Sequence, residues 1–163
     1  RINDELEEAA HYYQLALEET PDDGYLYASL GDVYYSMDNL DEAIAHYEKA
    51  VDMVPGDVTL FVDLGLLYRE VERYDEAAAA LVKASDLAPN DIYTQLVLYN
   101  YLLDMERTEE AELVAEKITA YQERQAELQK QLLEAQGEEA EAEAEAEDEA
   151  EPATEVEAAE TED

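Results

Sequence analysis

Cysteine and tryptophan are absent from the 163 residues, and glycine and histidine are scarce, with five and two. Without cysteine there is no disulfide, no thiolate metal site and no thiol nucleophile. So few glycines and histidines leave little material for a glycine-rich phosphate loop or imidazole catalysis. Basic residues are also rare: nine Lys and Arg face 45 Asp and Glu, for a net charge of −36. A surface of that sign repels phosphate backbones and anionic lipid heads. It argues against nucleic-acid binding and polybasic membrane anchoring. No apolar run approaches the ~18 residues of a membrane span. These absences point away from chemistry and toward an interaction protein.

The acid that is present is unevenly placed. Residues 137–163 hold 14 acidic residues and no basic one, which leaves 31 acidic and nine basic in 1–136, a net of −22. The break falls near Gly137. Glu-Ala alternation follows, and beyond alanine only Pro152 and Val156 are apolar. Such a segment cannot bury enough surface to offset its ordering entropy. Glutamates four apart, such as Glu141, Glu145 and Glu149, repel along a helix. The expectation for 137–163 is a disordered or fraying acidic tail.

The body repeats with a period of 34. Tyr27, Leu30, Gly31, Tyr34, Ala43, Tyr47, Ala50 and Pro55 return as Phe61, Leu64, Gly65, Tyr68, Ala77, Leu81, Ala84 and Pro89. Ala9, Tyr13, Ala16 and Pro21 fit half a unit earlier. This pattern resembles the tetratricopeptide repeat family, with Tyr27 and Phe61 where that family often has Trp. The resemblance implies an all-α fold, a solenoid of helix-turn-helix pairs wound as a right-handed superhelix. It implies packing roles for the pattern residues and says little about function.

The residues themselves argue the same way. Gly31 and Gly65 are mid-helix, where glycine costs up to ~1 kcal/mol against alanine. That cost is understandable where a neighbouring helix comes close. Pro55 and Pro89 end the second helix of each pair, and Asp57 and Asn90 are expected to cap the helices that follow. Helices are expected near 3–18, 24–37, 40–53, 58–71, 74–87, 91–104 and 108–136. Residues 1–20 supply only a second helix, 24–57 and 58–91 are full repeats, and 92–136 is a degenerate repeat with an extended capping helix. Because the chain opens inside a repeat, at Arg1, further repeats or a removed leader are expected upstream. A cytoplasmic location is favoured.

In the last helix, Val114, Ile118, Tyr121, Gln125, Leu128, Leu132 and Ala135 follow heptad spacing. Two readings stay open: a long helix that caps the solenoid, or a short coiled coil that dimerises or docks a partner through 114–135.

No catalytic constellation is visible, so no enzyme activity, cofactor or metal is expected. His11 and His46 are one residue out of phase in the repeat. Ser29, Ser36 and Ser85 lack a nucleophile-elbow setting. The turn Asp38-Asn39-Leu40-Asp41 lacks the glycine and glutamate of a calcium loop. Of the thirteen tyrosines, Tyr13, Tyr27, Tyr34, Tyr47 and Tyr68 occupy packing positions of the repeat. The family resemblance implies a concave face, lined by the first helix of each pair, that holds an extended peptide. Helical geometry nominates Tyr25, Ala28, Asp32 and Tyr35; Thr59, Val62, Leu66 and Arg69; and Tyr93, Leu96 and Asn100. Chaperone-binding members of the family clamp a terminal carboxylate with Lys, Arg and Asn there, whereas Arg69 is the only base in this set. The expected function is a non-enzymatic scaffold binding an apolar or basic protein segment. The alternative is an acidic chaperone or decoy acting on a basic protein through its tail. The sparse lysines also fit adaptation to high salt.

Overall fold

The computed structural model describes residues 2–149. Within them the chain forms seven helices and no strand: α1 Ile2–Glu19, α2 Gly24–Ser36, α3 Leu40–Met53, α4 Val58–Glu70, α5 Tyr74–Leu87, α6 Ile92–Asp104 and α7 Thr108–Glu149. The chain divides into two compact units, residues 1–119 and 120–163.

Within the first unit, helices consecutive in the chain pack on one another, from α1 on α2 through α5 on α6. The architecture is an all-α solenoid of helix pairs. Its spine is made of small residues: Ala43, Ala50, Ala77 and Ala84 are fully buried. Glycine lets the paired helix approach. A Cβ at Gly31 would lie 2.5 Å from Tyr47 Cδ2, and one at Gly65, 34 residues on, would lie 2.8 Å from Leu81 Cδ2. The 34-residue period therefore lives in the backbone approach as much as in the side chains.

The helix starts repeat as well. Asp23, Asp57 and Asp91, each 34 apart, cap α2, α4 and α6. The Asp57 carboxylate accepts from the Thr59 amide at 2.9 Å and the Leu60 amide at 3.3 Å, answering two of the free donors of the first turn. The expected cap at Asn90 is corrected: Asp91 caps α6, accepting from the Thr94 amide at 3.0 Å. Asn90 precedes it by one residue and has no place in the cap geometry. A third periodic feature is strained. Asp38, Glu72 and Glu106 hold φ values of 61°, 60° and 57°, the left-handed region that disfavours a β-carbon.

Ala111 and Val114 on α7 belong to the core, with Ile118 packed against it. α7 runs on to Glu149, past the helix end expected at 136. Glu and Ala are strong helix formers, Pro152 lies further on, and extending a helix avoids the cost of nucleating one. Residues 150–163, the rest of the expected tail, lie outside the described residues.

Candidate functional site

The nominated residues all lie on α2, α4 and α6, and two cavities open beside these helices. A cavity of about 250 Å³ is lined by Asp32, Tyr35, Tyr47, Asp63, Leu66, Leu67 and Glu70. A second, of about 320 Å³, is lined by Val58, Thr59, Val62, Asp63, Ala88, Asp91, Tyr93 and Thr94. Asp63 belongs to both and stands between them.

The structure thus gathers Asp32, Tyr35 and Leu66 in one cavity and Thr59, Val62 and Tyr93 in the other. Tyr25, Leu96, Asn100 and Arg69 are exposed but line neither. Ala28 is corrected: it is 8% exposed and belongs to the core. Its methyl ends close to the backbone, where bulkier neighbours cover it. Val62 is likewise only 4% exposed and forms cavity floor rather than groove rim.

Asp63, Glu70 and the Tyr47 hydroxyl were missing from the sequence expectation. The first two had a signal. Positions 59, 63, 66 and 70 share a helix face as well as 59, 62, 66 and 69 do, and the second phase was chosen. Tyr47 was assigned to packing alone. It does pack, at 5% exposure, yet its hydroxyl donates to Asp32.

The electrostatics are one-signed. Burial is the main cause that raises the Asp63 pKa, and the charges of Asp32 and Asp57 add to it. The Glu70 carboxylate pushes the Tyr35 hydroxyl upward, first through its charge and then through a hydrogen bond. Tyr25 donates to Asp57 at 3.1 Å, which raises its pKa too. Arg69, the one base on this face, is held by Asp104 at 2.7 Å. Among the described residues no group of three or more His, Cys, Asp or Glu is arranged to hold a metal ion. His46 instead lies beside Tyr27 and Tyr34, its ring tilted against both. What remains is an acidic, aromatic and aliphatic trough with room for side chains. Among the described residues, no helix is long and apolar enough to cross a membrane.

Comparison with known proteins agrees with this architecture. The tetratricopeptide repeat model matches residues 25–90. Among solved structures, MamA is similar with a TM-score of 0.64 at 19% identity, over 75% of this chain and 71% of MamA. YrrB, described as a TPR protein with an unusual peptide-binding site, has a TM-score of 0.61 at 27% identity. That match covers 72% of this chain and 61% of YrrB. None of the curated proteins matches the chain significantly. A solenoid of stacked helix pairs defines the class of helical-repeat proteins. Residues 25–90 match the tetratricopeptide repeat model, and the helix-pair fold around them is of that kind.

Proposed function

We propose that the chain is a non-enzymatic protein-interaction scaffold whose groove holds an extended segment of a partner, basic and apolar in character. The observation that carries this reading is Asp63, a half-buried carboxylate between two cavities, with its pKa raised by burial and by neighbouring acid. A lysine or arginine side chain entering either cavity would relieve that repulsion, and its methylene stem would lie along Tyr35 and Leu66. Leu66 and Tyr93, 38% and 65% exposed, offer apolar contact beside it. Backbone contacts along such a trough favour an extended peptide over a helix. The similarity to YrrB, whose description names a peptide-binding site, supports the same reading. Nucleic acid is not a partner in this scheme, since the trough would repel its phosphates.

Titration with a labelled peptide alternating Lys and Leu, against the same peptide with Glu for Lys, tests it. Binding is expected only for the first, and substituting both Tyr35 and Leu66 by glutamate should abolish it while helicity stays. If binding survives that double change and disappears when 137–163 are removed, the acidic tail is the binding element and the groove reading fails.

A further inference from the structure

Beyond Val114 the long helix α7 contributes no buried apolar side chain among the described residues. It nevertheless carries leucines: Leu128 is 51% exposed and Leu132 is 60% exposed. Heptad spacing puts them on one face with Tyr121, Gln125 and Ala135. The residues bordering that face are Gln122, Arg124, Gln129, Gln131 and Gln136. In a chain with 45 acidic residues, none of these flanks is a carboxylate. Glu123, Glu127 and Glu134 all fall on the opposite side of the helix.

We propose that residues 120–136 are the contact face of an antiparallel dimer between two copies of this chain. Charge decides the occupant. A glutamine amide both donates and accepts, so a border of glutamines is complementary to itself. A border built for a strongly charged partner would carry charge of the opposite sign, and here Arg124 is the only charge. Charge decides the direction as well. A parallel pair would set Glu138, Glu139 and Glu141 of both copies side by side, against like-charge repulsion. An antiparallel pair sends the acidic stretches to opposite ends. Its register then places Tyr121 against Leu132 of the second copy and Gln125 against Leu128. Gln122 meets Gln129, and Arg124 meets Gln131. No like charges face each other. The seam covers only about two heptads, well short of a permanent interface, so the dimer is reversible.

Analytical ultracentrifugation of the full chain over a concentration series tests the association. A concentration-dependent monomer–dimer equilibrium is expected. Replacing Leu128 and Leu132 by glutamate together should leave only monomer, with helicity and the main melting transition unchanged. Because the chain has no cysteine, a nitroxide attached at Gln136→Cys reports direction without background. The proposed register separates the two labels by ~19 residues of helix, roughly 28 Å. A parallel pair would bring them to ~10 Å. A monomer at every concentration, a dimer that survives the double leucine change, or the short label distance would each overturn the proposal.

Discussion

The hydroxyl of Tyr47 on α3 donates a hydrogen bond to Asp32 on α2, and the ring of the same tyrosine covers Gly31. A Cβ at Gly31 would lie 2.5 Å from Tyr47 Cδ2. One residue thereby joins the packing of a helix pair to the floor of the groove. Tyr47→Phe keeps the ring and removes the donor. Asp32 is exposed and can rehydrate, so the expected loss is about 0.5–1.5 kcal/mol in urea denaturation. The Lys-Leu peptide should also bind more weakly, because Asp32 loses the bond that holds it at the cavity. Unchanged binding would mean that Asp32 needs no positioning.

Glycine should show two opposite behaviours in one chain. At Gly65 any side chain meets Leu81, so Gly65→Leu should cost roughly 1–3 kcal/mol through overpacking. At Gly137, on α7, nothing lies within 4 Å of a Cβ. Gly137→Ala should instead gain helix propensity, up to ~1 kcal/mol locally, and raise the helical circular dichroism signal. Thermal melts of the first and spectra of the second check the contrast. A Gly65→Leu variant that melts higher would show that Leu81 moves away at little cost.

The two periodic loop features predict opposite signs as well. Asp91 accepts from the Thr94 amide and from the Thr94 hydroxyl, and these bonds hold its pKa below the usual carboxylate range. Asp91→Ala should destabilise by about 1 kcal/mol. Glu72 is exposed with φ of 60°, where a β-carbon costs ~1–2 kcal/mol. Glu72→Gly removes that strain and adds chain entropy to the unfolded state. A net gain of about 0.5–1 kcal/mol is expected. Equilibrium unfolding of the two variants reads both signs.

These loop features also mark where the sequence was harder to read. The helices were legible because one packing pattern recurs in register: α3 and α5 run over the expected residues. Each Leu-Gly pair reports a close approach that the structure contains. The turn conformation was not legible. Asp38, Glu72 and Glu106 have no shared side-chain chemistry that requires a left-handed backbone, and only the 34-residue spacing links them. Asp63 was hidden for a different reason. A helix face fixed only by spacing admits two phases one residue apart, and burial alone separates Val62 from Asp63. For 137–149, like-charge repulsion and the helix propensity of Glu and Ala pull in opposite directions, and the sequence alone does not weigh one against the other.

Salt should stabilise the body. The first turns of α3, α5 and α7 each carry two carboxylates, worth ~0.3–1 kcal/mol apiece against the helix dipole at low ionic strength. Many other carboxylates repel one another across a thin stack of helices. Raising KCl from 0.01 M to 1 M shortens the reach of that repulsion from ~30 Å to ~3 Å. The melting temperature of a chain ending at Gln136 should therefore rise. A flat or falling melt would mean local compensation, and adaptation to high salt would lose its support.

Asp63 should exchange stability for binding. Burial and the charges of Asp32 and Asp57 raise its pKa in the folded chain. A group whose folded pKa lies above its unfolded value stabilises the fold when protonated. That contribution is present below the ordinary carboxylate pKa, ~4, and is lost as pH rises through the folded value. At neutral pH the ionised side chain is thus a strain on the fold, which Asp63→Asn removes. The variant should melt higher than the parent at pH 7, and the difference should shrink as pH falls through the raised folded value and be gone below ~4. Binding should move the other way. If a lysine or arginine of the partner enters beside Asp63, the asparagine variant loses affinity for the Lys-Leu peptide. In the parent, the same cation lowers the Asp63 pKa, so binding at a pH within the raised titration range should release protons, measurable by calorimetry in buffers of different ionisation enthalpy. A lower melting temperature for Asp63→Asn at pH 7 would show that the carboxylate is already compensated in the free chain, and the groove would lose its stated reason to recruit a cation.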